Sequence, residues 1–201
     1  MLTLENFFNS EITLENERAK LTPLKKEDQV VLEGIAYEPQ IWQWGMSDLK
    51  NSSDLAAYID AALSEKQNRI SYPFLIFDKK LNSTAGSTRF GSISIPNKRV
   101  EIGWTWMHPS HQGSGLNKAC KFLLLSFAFE TLLVNRVELK TDVLNQQSQK
   151  AILKIGAKKE GVFRKHQVTS SGRERDSVFF SIIKDEWPGI RQTIFKEFLG
   201  I

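Results

Sequence analysis

The sequence lacks the residues that build disulfide-stapled, thiolate-metal or membrane-spanning proteins. Its 201 residues include one cysteine, Cys120, which excludes an intramolecular disulfide and a zinc site made of several thiolates. The longest unbroken apolar run, residues 55–59, is far too short to cross a bilayer, and no membrane partner is expected. The N-terminus carries early acidic residues and no basic, apolar leader, so we expect no secretory signal and a cytoplasmic location.

The sequence also lacks a large excess of either basic or acidic residues. The 27 basic and 23 acidic residues give a net charge of +4, and the basic residues are scattered among acidic neighbours. Because they form no stripe, a nucleic-acid partner is not expected. The composition, 41% hydrophobic and 25% charged, is typical of a globular chain, and residues 1–201 suffice for one domain with a sizeable core.

Strands and helices are mixed along the chain without a regular alternation. Alternating apolar residues and turn residues predict hairpins at residues 85–107 and 158–184. The other predicted strands cover residues 12–21, 72–77 and 136–143, and the predicted helices cover residues 22–36, 52–68, 116–133, 145–155 and 190–199. In the first helix, Thr22 is the expected cap and Pro23 the first helical residue. These elements predict an α/β fold with a mixed, mostly antiparallel central sheet and helices on both faces.

A glycine-rich loop at residues 112–115 separates a predicted strand from a long apolar helix. Glycines there let backbone N–H groups point into one concavity, and the helix start adds positive partial charge, which suits a pyrophosphate. Lys118 and Lys121, in the first helical turns, also favour a nearby anion. The alternative is a glycine-rich turn with two solvated lysines, and the spacing alone does not decide between them.

The predicted helix after Asn145 carries a serine on its inward stripe. Ser148 is spaced i, i+4 and i+7 with Ile152 and Ile155, which places its hydroxyl toward the core side. A polar group on such a stripe needs a partner. Ser148 either bonds back to Asn145 or meets a ligand between this helix and the glycine loop.

The predicted strand at residues 99–107 alternates along its length. Its two faces are expected to carry Val100, Ile102, Trp104 and Trp106 on one side and Glu101, Gly103, Thr105 and Met107 on the other. Because Gly103 has no side chain, the carboxylate of Glu101 has room beside it and can act as a base. The alternative is a solvated glutamate on the strand surface.

The order of these elements resembles the acyl-CoA-binding core of the GNAT N-acetyltransferase superfamily. The glycine loop is similar to its Q/R-x-x-G-x-G/A motif, with Asn117 at the last position, and the helix headed by Asn145 follows as in that core. Four stretches resemble the RimJ/RimL-type branch, which acetylates ribosomal-protein N-termini and other amines. They are Glu101-Ile102-Gly103, residues 144–148, Gly156-Ala157 and residues 160–164.

This resemblance implies the GNAT fold and acetyl-CoA as cosubstrate, without a metal. Backbone groups of Met107 and His108 would pair with the pantetheine arm, and Asn145 would hydrogen-bond the same arm. Ser148 would lie near the thioester sulfur. The pyrophosphate is expected on the glycine loop and the helix start, at Gln112, Gly113, Ser114, Gly115, Leu116, Asn117 and Lys118.

The implied reaction is direct attack of a primary amine on the thioester within a ternary complex. Glu101, acting through water, is the expected base, and a strand amide near Met107 is the expected oxyanion donor. Many GNAT enzymes carry a tyrosine general acid seven residues after the asparagine, where this chain has Ile152. Ser148, or a water that it holds, is therefore the expected acid.

Two aromatic residues and two histidines leave alternatives open. Trp42 and Trp44 follow the first helix, where the family builds its acceptor groove, so they either line the amine site or belong to the core. His108 and His111 are three residues apart but lack a third nearby ligand, so no metal site is expected.

The acceptor is expected to be a protein N-terminus or a small-molecule amine. The alternative from another functional class is a catalytically silent acyl-CoA-binding or sensor protein. The sequence leaves the oligomeric state open, a homodimer included.

Overall fold

An eight-stranded sheet forms the centre of the computed structural model, which describes residues 2–199. Its strands are β1 Leu14–Glu15, β2 Ala19–Pro23, β3 Tyr72–Asp78, β4 Ser83–Ser94, β5 Arg99–Met107, β6 Arg136–Asp142, β7 Lys158–Val168 and β8 Glu174–Ile183. They lie in the order β1-β2-β3-β4-β5-β6-β8-β7. Neighbouring strands are antiparallel except for β5 and β6, which are parallel.

Helices cover both faces of this sheet. They are α1 Gln29–Glu33, α2 Pro39–Trp42, α3 Ser52–Gln67, α4 Leu116–Ser126, α5 Gln146–Lys154 and α6 Trp187–Thr193, and a π-helical segment, Phe127–Thr131, continues α4. Apolar residues of α4, α5 and α6 pack in a large cluster on one face, and those of α1, α2 and α3 form a smaller cluster on the other. The expected mixed, mostly antiparallel sheet with helices on both faces is confirmed.

Strand β3 shows how the sequence produces two cores. Phe74 and Ile76 belong to the large cluster, whereas Leu75 between them belongs to the smaller one. Successive side chains of a strand point to opposite faces, so a strand covered on both faces has an unbroken apolar run.

The N-terminal segment departs from the sequence-based expectation. The single strand expected at residues 12–21 is a hairpin of β1 and β2, and Pro23 is the last residue of β2 instead of the first residue of a helix. Because β1 pairs with β2 only at Leu21 and Lys20, the missing N–H of Pro23 leaves no bond of that pairing unmade. The helix that was expected from residue 22 begins instead with a 3-10 turn at Lys26–Asp28.

A bulge interrupts β5 in its second half. Gly103 pairs with Arg89 and Trp106 pairs with Ser87, so three residue steps on β5 oppose two on β4. Trp104, in the extra position, has a φ of 49°, in the left-handed region that a bulky residue rarely adopts. The bulge leaves Trp104 without a cross-strand partner.

This bulge overturns part of the expected alternation. Val100 and Ile102 face the large cluster as expected. Trp106 instead packs in the smaller cluster, with its ring centroid 5.3 Å from that of Trp42, and Met107 faces the large cluster. The expectation that Trp106 shares a face with Val100, and Met107 with Glu101, is therefore wrong, because one extra residue shifts the period-two pattern.

The parallel pairing of β5 and β6 is short. It joins Arg99, Val100 and Glu101 to the three residues of β6 that begin at Arg136. Beyond these pairs β5 continues to Met107 and β6 to Asp142 without pairing to each other. The two strands therefore splay apart, and the splay opens a gap in the middle of the sheet.

Gly86 permits the close approach of β4 to the second half of β5. It has a φ of 151°, and a Cβ built on it would lie 2.1 Å from the carbonyl oxygen of Trp106. A backbone atom in a sheet cannot move aside easily, so Gly86→Ala should lower the free energy of unfolding by about 1–3 kcal/mol. The control Gly189→Ala, on α6 with nothing within 4 Å of the added Cβ, should raise it by about 0.5–1 kcal/mol. Urea unfolding followed by circular dichroism measures both, and similar effects of the two substitutions would contradict the steric argument.

Candidate active site

Three segments expected to form one site meet at the open end of the splay. The Gln112 side chain donates through Nε2 to the Met107 carbonyl at 3.2 Å, which joins the glycine loop to the end of β5. The Gln147 Nε2 lies 3.5 Å from Gln112 Oε1, which joins the loop to the first turn of α5. The structure therefore brings together the strand end, the glycine loop and the helix headed by Asn145.

The end of β5 presents one residue to the gap and turns the next one away. His108 donates its N–H to the Ala85 carbonyl at 2.9 Å, and its own carbonyl accepts from the His111 N–H. Of the two His108 backbone groups expected to pair with a ligand, the N–H is therefore already used, whereas the carbonyl has a second lone pair that can accept from one. Since bonding to one neighbour alternates along an antiparallel strand, Met107 directs its N–H and carbonyl to the opposite edge, which faces the gap.

The glycine loop has the conformation of an anion cradle. Gly113 and Gly115 have φ values of 69° and 86°, and no heavy atom lies within 4 Å of a Cβ built on either. Gly115 is the N-cap of α4. Among residues 2–199, no hydrogen-bond partner is found for the N–H groups of Gly113, Ser114 and Gly115. Open space, free donors and a helix start suit a phosphate group.

A buried ion cluster, which no local spacing of residues indicated, holds this loop from beneath. Asp78 is fully buried. Its Oδ1 accepts a hydrogen bond from the Arg18 guanidinium, and its Oδ2 lies 3.0 Å from His111 Nδ1. Arg18 also donates to Ser114 Oγ at 3.2 Å, and that hydroxyl donates to the His111 carbonyl. Burial raises the pKa of Asp78, but the hydrogen bonds from Arg18 and His111 outweigh it and hold the pKa below its usual value.

The first turn of α4 carries two polar residues and one apolar residue with different surroundings. Lys118 forms an ion pair with Glu197 near the end of the chain, on a partly exposed surface. The buried Oδ1 of Asn117 has no partner among the described residues. Leu116 is fully buried in the large cluster and anchors the helix start.

Lys121 points away from the loop. It is 6% exposed, and its Nζ donates to Thr105 Oγ1 at 2.9 Å, beneath the β5 bulge. The interpretation of Lys121 as a ligand for an anion at the loop is therefore wrong. Thr105 Oγ1 lies 2.7 Å from Thr88 Oγ1, so a chain of hydroxyls accompanies the ammonium, and no ion pair of Lys121 with a carboxylate is found within residues 2–199.

The start of α5 has the predicted cap. Asn145 Oδ1 accepts from the Ser148 N–H at 2.9 Å, and Ile152 and Ile155 are buried in the large cluster. The Ser148 hydroxyl is half-buried and has no hydrogen-bond partner among the described residues. Its backbone bonds back to Asn145, and its hydroxyl remains able to donate to a ligand.

Glu101 lies at the base of the splay, held by two donors. Its Oε2 accepts from Lys140 Nζ and from Ser92 Oγ, each at 2.8 Å, and the residue is 4% exposed. A Cβ on Gly103 would lie 2.8 Å from Glu101 Oε1, so the glycine provides the room that the sequence predicted. A charge-assisted hydrogen bond from Lys140 and a hydroxyl from Ser92 therefore hold the carboxylate in place.

The two tryptophans near α2 have different environments. Trp42 is 6% exposed, and its indole N–H donates to the Ala36 carbonyl at 2.7 Å, so it is part of the smaller core. Trp44 is half-buried and lies beside the β7–β8 hairpin, with the Arg173 guanidinium 5.9 Å from its ring centroid. Both therefore lie on the sheet face opposite α4, and Trp44 is the less buried of the two, beside Arg173 and Arg175.

Several polar residues of that sheet face were missed by the sequence analysis. Lys140 on β6 and Arg175 on β8 lie on the same face as Glu101, and His166 on β7 bonds to Ser177 there. Alternating positions in a predicted strand would have indicated the face, but not which residues of distant strands meet. Burial lowers the pKa of His166, and nearby Lys140 and Arg175 lower it further, so the ring is neutral near pH 7.

Two further features of the described residues bear on ligand chemistry. No group of three or more His, Cys, Asp or Glu side chains in residues 2–199 is arranged to hold a metal ion. In the same part of the chain, no helix combines the length and the apolar character needed to cross a membrane.

Lys121 should make stability depend on pH in an alkaline window. Burial lowers its pKa from 10.5 to about 8. Between these values the unfolded chain holds a proton that the folded chain has released, so the free energy of unfolding rises with pH there. Lys121→Met should abolish that rise and increase the free energy of unfolding at pH 7 by up to about 3 kcal/mol.

Denaturant unfolding from pH 7 to pH 11 measures this dependence. Lys118→Met, one turn away at a partly exposed site, is the matched control and should keep the rise. A rise that persists unchanged in Lys121→Met would assign it to other groups.

Comparison with known proteins agrees with this geometry. Residues 18–158 match the family model described as an acetyltransferase (GNAT) domain. The chain is 29% identical over 182 residues to the uncharacterized N-acetyltransferase p20 of Bacillus licheniformis, covering 88% of this chain and 99% of that protein. It is 31% identical over 115 residues to the putative ribosomal N-acetyltransferase YdaF of Bacillus subtilis, covering 57% and 60% of the two chains.

A solved structure shows the same fold. Mycobacterium smegmatis RimJ in complex with CoA-disulfide superposes with a TM-score of 0.80 at 18% identity, covering 94% of this chain and 96% of that one. The expected resemblance to RimJ/RimL-type proteins is confirmed. Because the family match spans well over half of its residues, the chain belongs to the GNAT acetyltransferase family and is an acetyl-CoA-dependent acetyltransferase.

Proposed function

We propose that the chain transfers the acetyl group of acetyl-CoA directly to a primary amine within a ternary complex, as one domain. The observation that carries this proposal is the splay of β5 and β6, which ends at the glycine loop and at the start of α5. A gap in a sheet, bordered by unbonded strand groups and closed at one end by a phosphate cradle, suits a long, flexible thiol ester with a pyrophosphate.

The residues present fit acetyl-CoA. The free N–H groups of residues 113–115 would hold the pyrophosphate. The inward-facing N–H of Met107 would pair with the pantetheine arm, and its carbonyl, which accepts from Gln112 Nε2, would use its second lone pair. Asn145 would reach the same arm through its side-chain NH₂, since its Oδ1 is used in the helix cap. When bound, acetyl-CoA supplies an activated acyl carbonyl, so the chain needs no metal for this reaction.

The chain must remove a proton from the acceptor ammonium. Glu101 is the proposed proton acceptor, and its carboxylate is fixed by Lys140 and Ser92 at the base of the gap. Because Glu101 is buried, we propose that the proton reaches it through water. The bulge at Trp104 leaves backbone groups without cross-strand partners, and such an N–H is suited to polarise the acyl carbonyl.

Direct transfer is favoured by the placement of the two sides of the site. The glycine loop belongs to α4, which packs on the large-cluster face, whereas Glu101 and Trp44 border the opposite face. An amine can therefore approach through the gap from the face opposite α4. Holding both reactants in one complex contributes to the rate by removing the entropy of their encounter.

The proposed acceptor is a protein N-terminus or a small-molecule amine. The name of YdaF, a putative ribosomal N-acetyltransferase, points to ribosomal proteins as acceptors for that relative, which supports the first choice at a distance. Release of CoA thiol from acetyl-CoA with a panel of N-terminal peptides and free amines tests the proposal. Binding of CoA without thiol release on any amine would favour a silent acyl-CoA sensor.

A negative charge introduced at position 115 should weaken CoA binding. In the left-handed conformation of this residue asparagine and aspartate are both tolerated better than most side chains, so they form a matched pair. Gly115→Asp should weaken CoA binding by at least about tenfold relative to Gly115→Asn, because its carboxylate faces the phosphates. Calorimetry measures both affinities, and equal values would place the pyrophosphate elsewhere.

Ser148→Ala should reduce kcat by roughly 10- to 1000-fold with little change in KM, since its hydroxyl is proposed to protonate the departing thiolate. The hydroxyl has no other partner, so its removal leaves no group of the fold unpaired. Ser148→Thr keeps the hydroxyl and should recover most of the rate. Full kcat in a folded Ser148→Ala enzyme would leave thiolate protonation to solvent.

A further inference from the structure

A buried arginine on β8 lacks an anionic partner. Arg175 is 7% exposed, and its Nε has no hydrogen-bond partner among the described residues. Within residues 2–199, its side chain makes one hydrogen bond, a long one of 3.4 Å from a terminal nitrogen to the Trp44 carbonyl. A guanidinium has five N–H donors, and burying it without a carboxylate or an equivalent acceptor costs several kcal/mol.

The acidic residues around Arg175 are already paired with other cations. Asp142 is fully buried and forms an ion pair with Arg173, and Glu101 forms one with Lys140. Both carboxylates act on Arg175 electrostatically, but neither lies within ion-pair distance of it. Burial lowers the pKa of Arg175, Arg173 adds like-charge repulsion, and an arginine remains charged nonetheless. The site therefore holds one cation more than its anions balance.

The free donors lie on the side of the sheet that an acceptor would use. Arg175, Ser177 and Phe179 occupy alternate positions of β8, and Phe179 pairs with Lys140, the partner of Glu101. Trp44 closes the other side, through its carbonyl to Arg175 and its ring to Arg173. Neutral His166 stands nearby and contributes no negative charge.

We infer that Arg175 is a specificity-determining residue that binds a carboxylate on the acceptor, so that the enzyme prefers amines bearing a carboxylate near the reacting nitrogen. This inference rests on the proposed acetyl transfer to an amine. A carboxylate matches the fork of a guanidinium and would form two charge-assisted hydrogen bonds with donors that are otherwise unmade. An uncharged acceptor of the same shape would leave Arg175 desolvated and unpaired, so the site would discriminate against it.

The experiment compares isosteric pairs of acceptors. The panel contains alanine with alaninamide, and tripeptide amides with a free N-terminus that carry Glu or Gln at the second or third position. Their binding to the CoA-loaded chain is measured by calorimetry, and their kcat/KM with acetyl-CoA is measured by thiol release. We expect at least one carboxylate-bearing member to exceed its neutral partner by about tenfold or more, or about 1.4 kcal/mol.

Variants assign that preference to Arg175. In Arg175→Gln, the affinity of the carboxylate-bearing acceptor divided by that of its neutral counterpart should fall close to one. The affinity of the neutral acceptor should be unchanged. Arg175→Lys should keep part of the ratio, since the charge remains and the fork is lost. Lys159→Gln removes one positive charge at an exposed position of the neighbouring strand and should leave the ratio unchanged.

Outcomes separate this inference from the proposed function. Equal binding of the acidic and neutral partners by the native chain, or no binding by any carboxylate-bearing member, would overturn it. A ratio that survives in folded Arg175→Gln would also overturn it, by placing the carboxylate elsewhere. Selective binding that depends on Arg175, without thiol release, would support the carboxylate site while refuting acetyl transfer to these amines.

Discussion

The length of the parallel pairing between β5 and β6 determines where every candidate site residue lies. Three residue pairs hold the strands together, and beyond them each strand follows its other neighbour, β4 or β8. A strand that loses one neighbour keeps a row of unpaired N–H and carbonyl groups. In a buried sheet such a row is stabilised by a ligand or by side chains, and the Met107 carbonyl, on that row, accepts from the Gln112 side chain.

Two local devices keep this opening from closing. The bulge at Trp104 bends β5 away from the regular ladder, and Gly86 lets β4 follow the bent strand closely. On the other side of the gap, Asn145 caps α5 and fixes its first turn beside the glycine loop. The loop is in turn held by Arg18 and Asp78, so its open conformation does not depend on a bound anion.

Local signals in the sequence predicted the parts of the site that depend on neighbouring residues. The glycine loop, the Asn145 cap and the room beside Glu101 all follow from residues within a few positions of one another. The positive φ of Trp104 left no such signal, because an alternating strand and a bulged one share the same residue types. Lys118 meets Glu197 across 79 positions, which no local spacing reveals. Pro23 was wrongly predicted to begin a helix for a related reason. A proline can end an edge strand where no neighbouring strand needs its N–H, and here β1 stops short of Pro23.

The residues that lower the free energy of unfolding are concentrated around the second half of β5 and on the sheet face beside it. Trp104 holds a left-handed backbone, Lys121 is a buried ammonium bonded to a neutral hydroxyl, and Arg175 is a buried guanidinium without a carboxylate. Each of these lowers stability, and apolar residues of similar volume would avoid the cost of both buried charges. By contrast, the ion pairs at the other end of the sheet, such as Arg136 with Glu160, are mutually satisfied. Unsatisfied groups that gather on both sides of one gap are expected where a ligand completes the bonding, and this is the region where β5 and β6 separate.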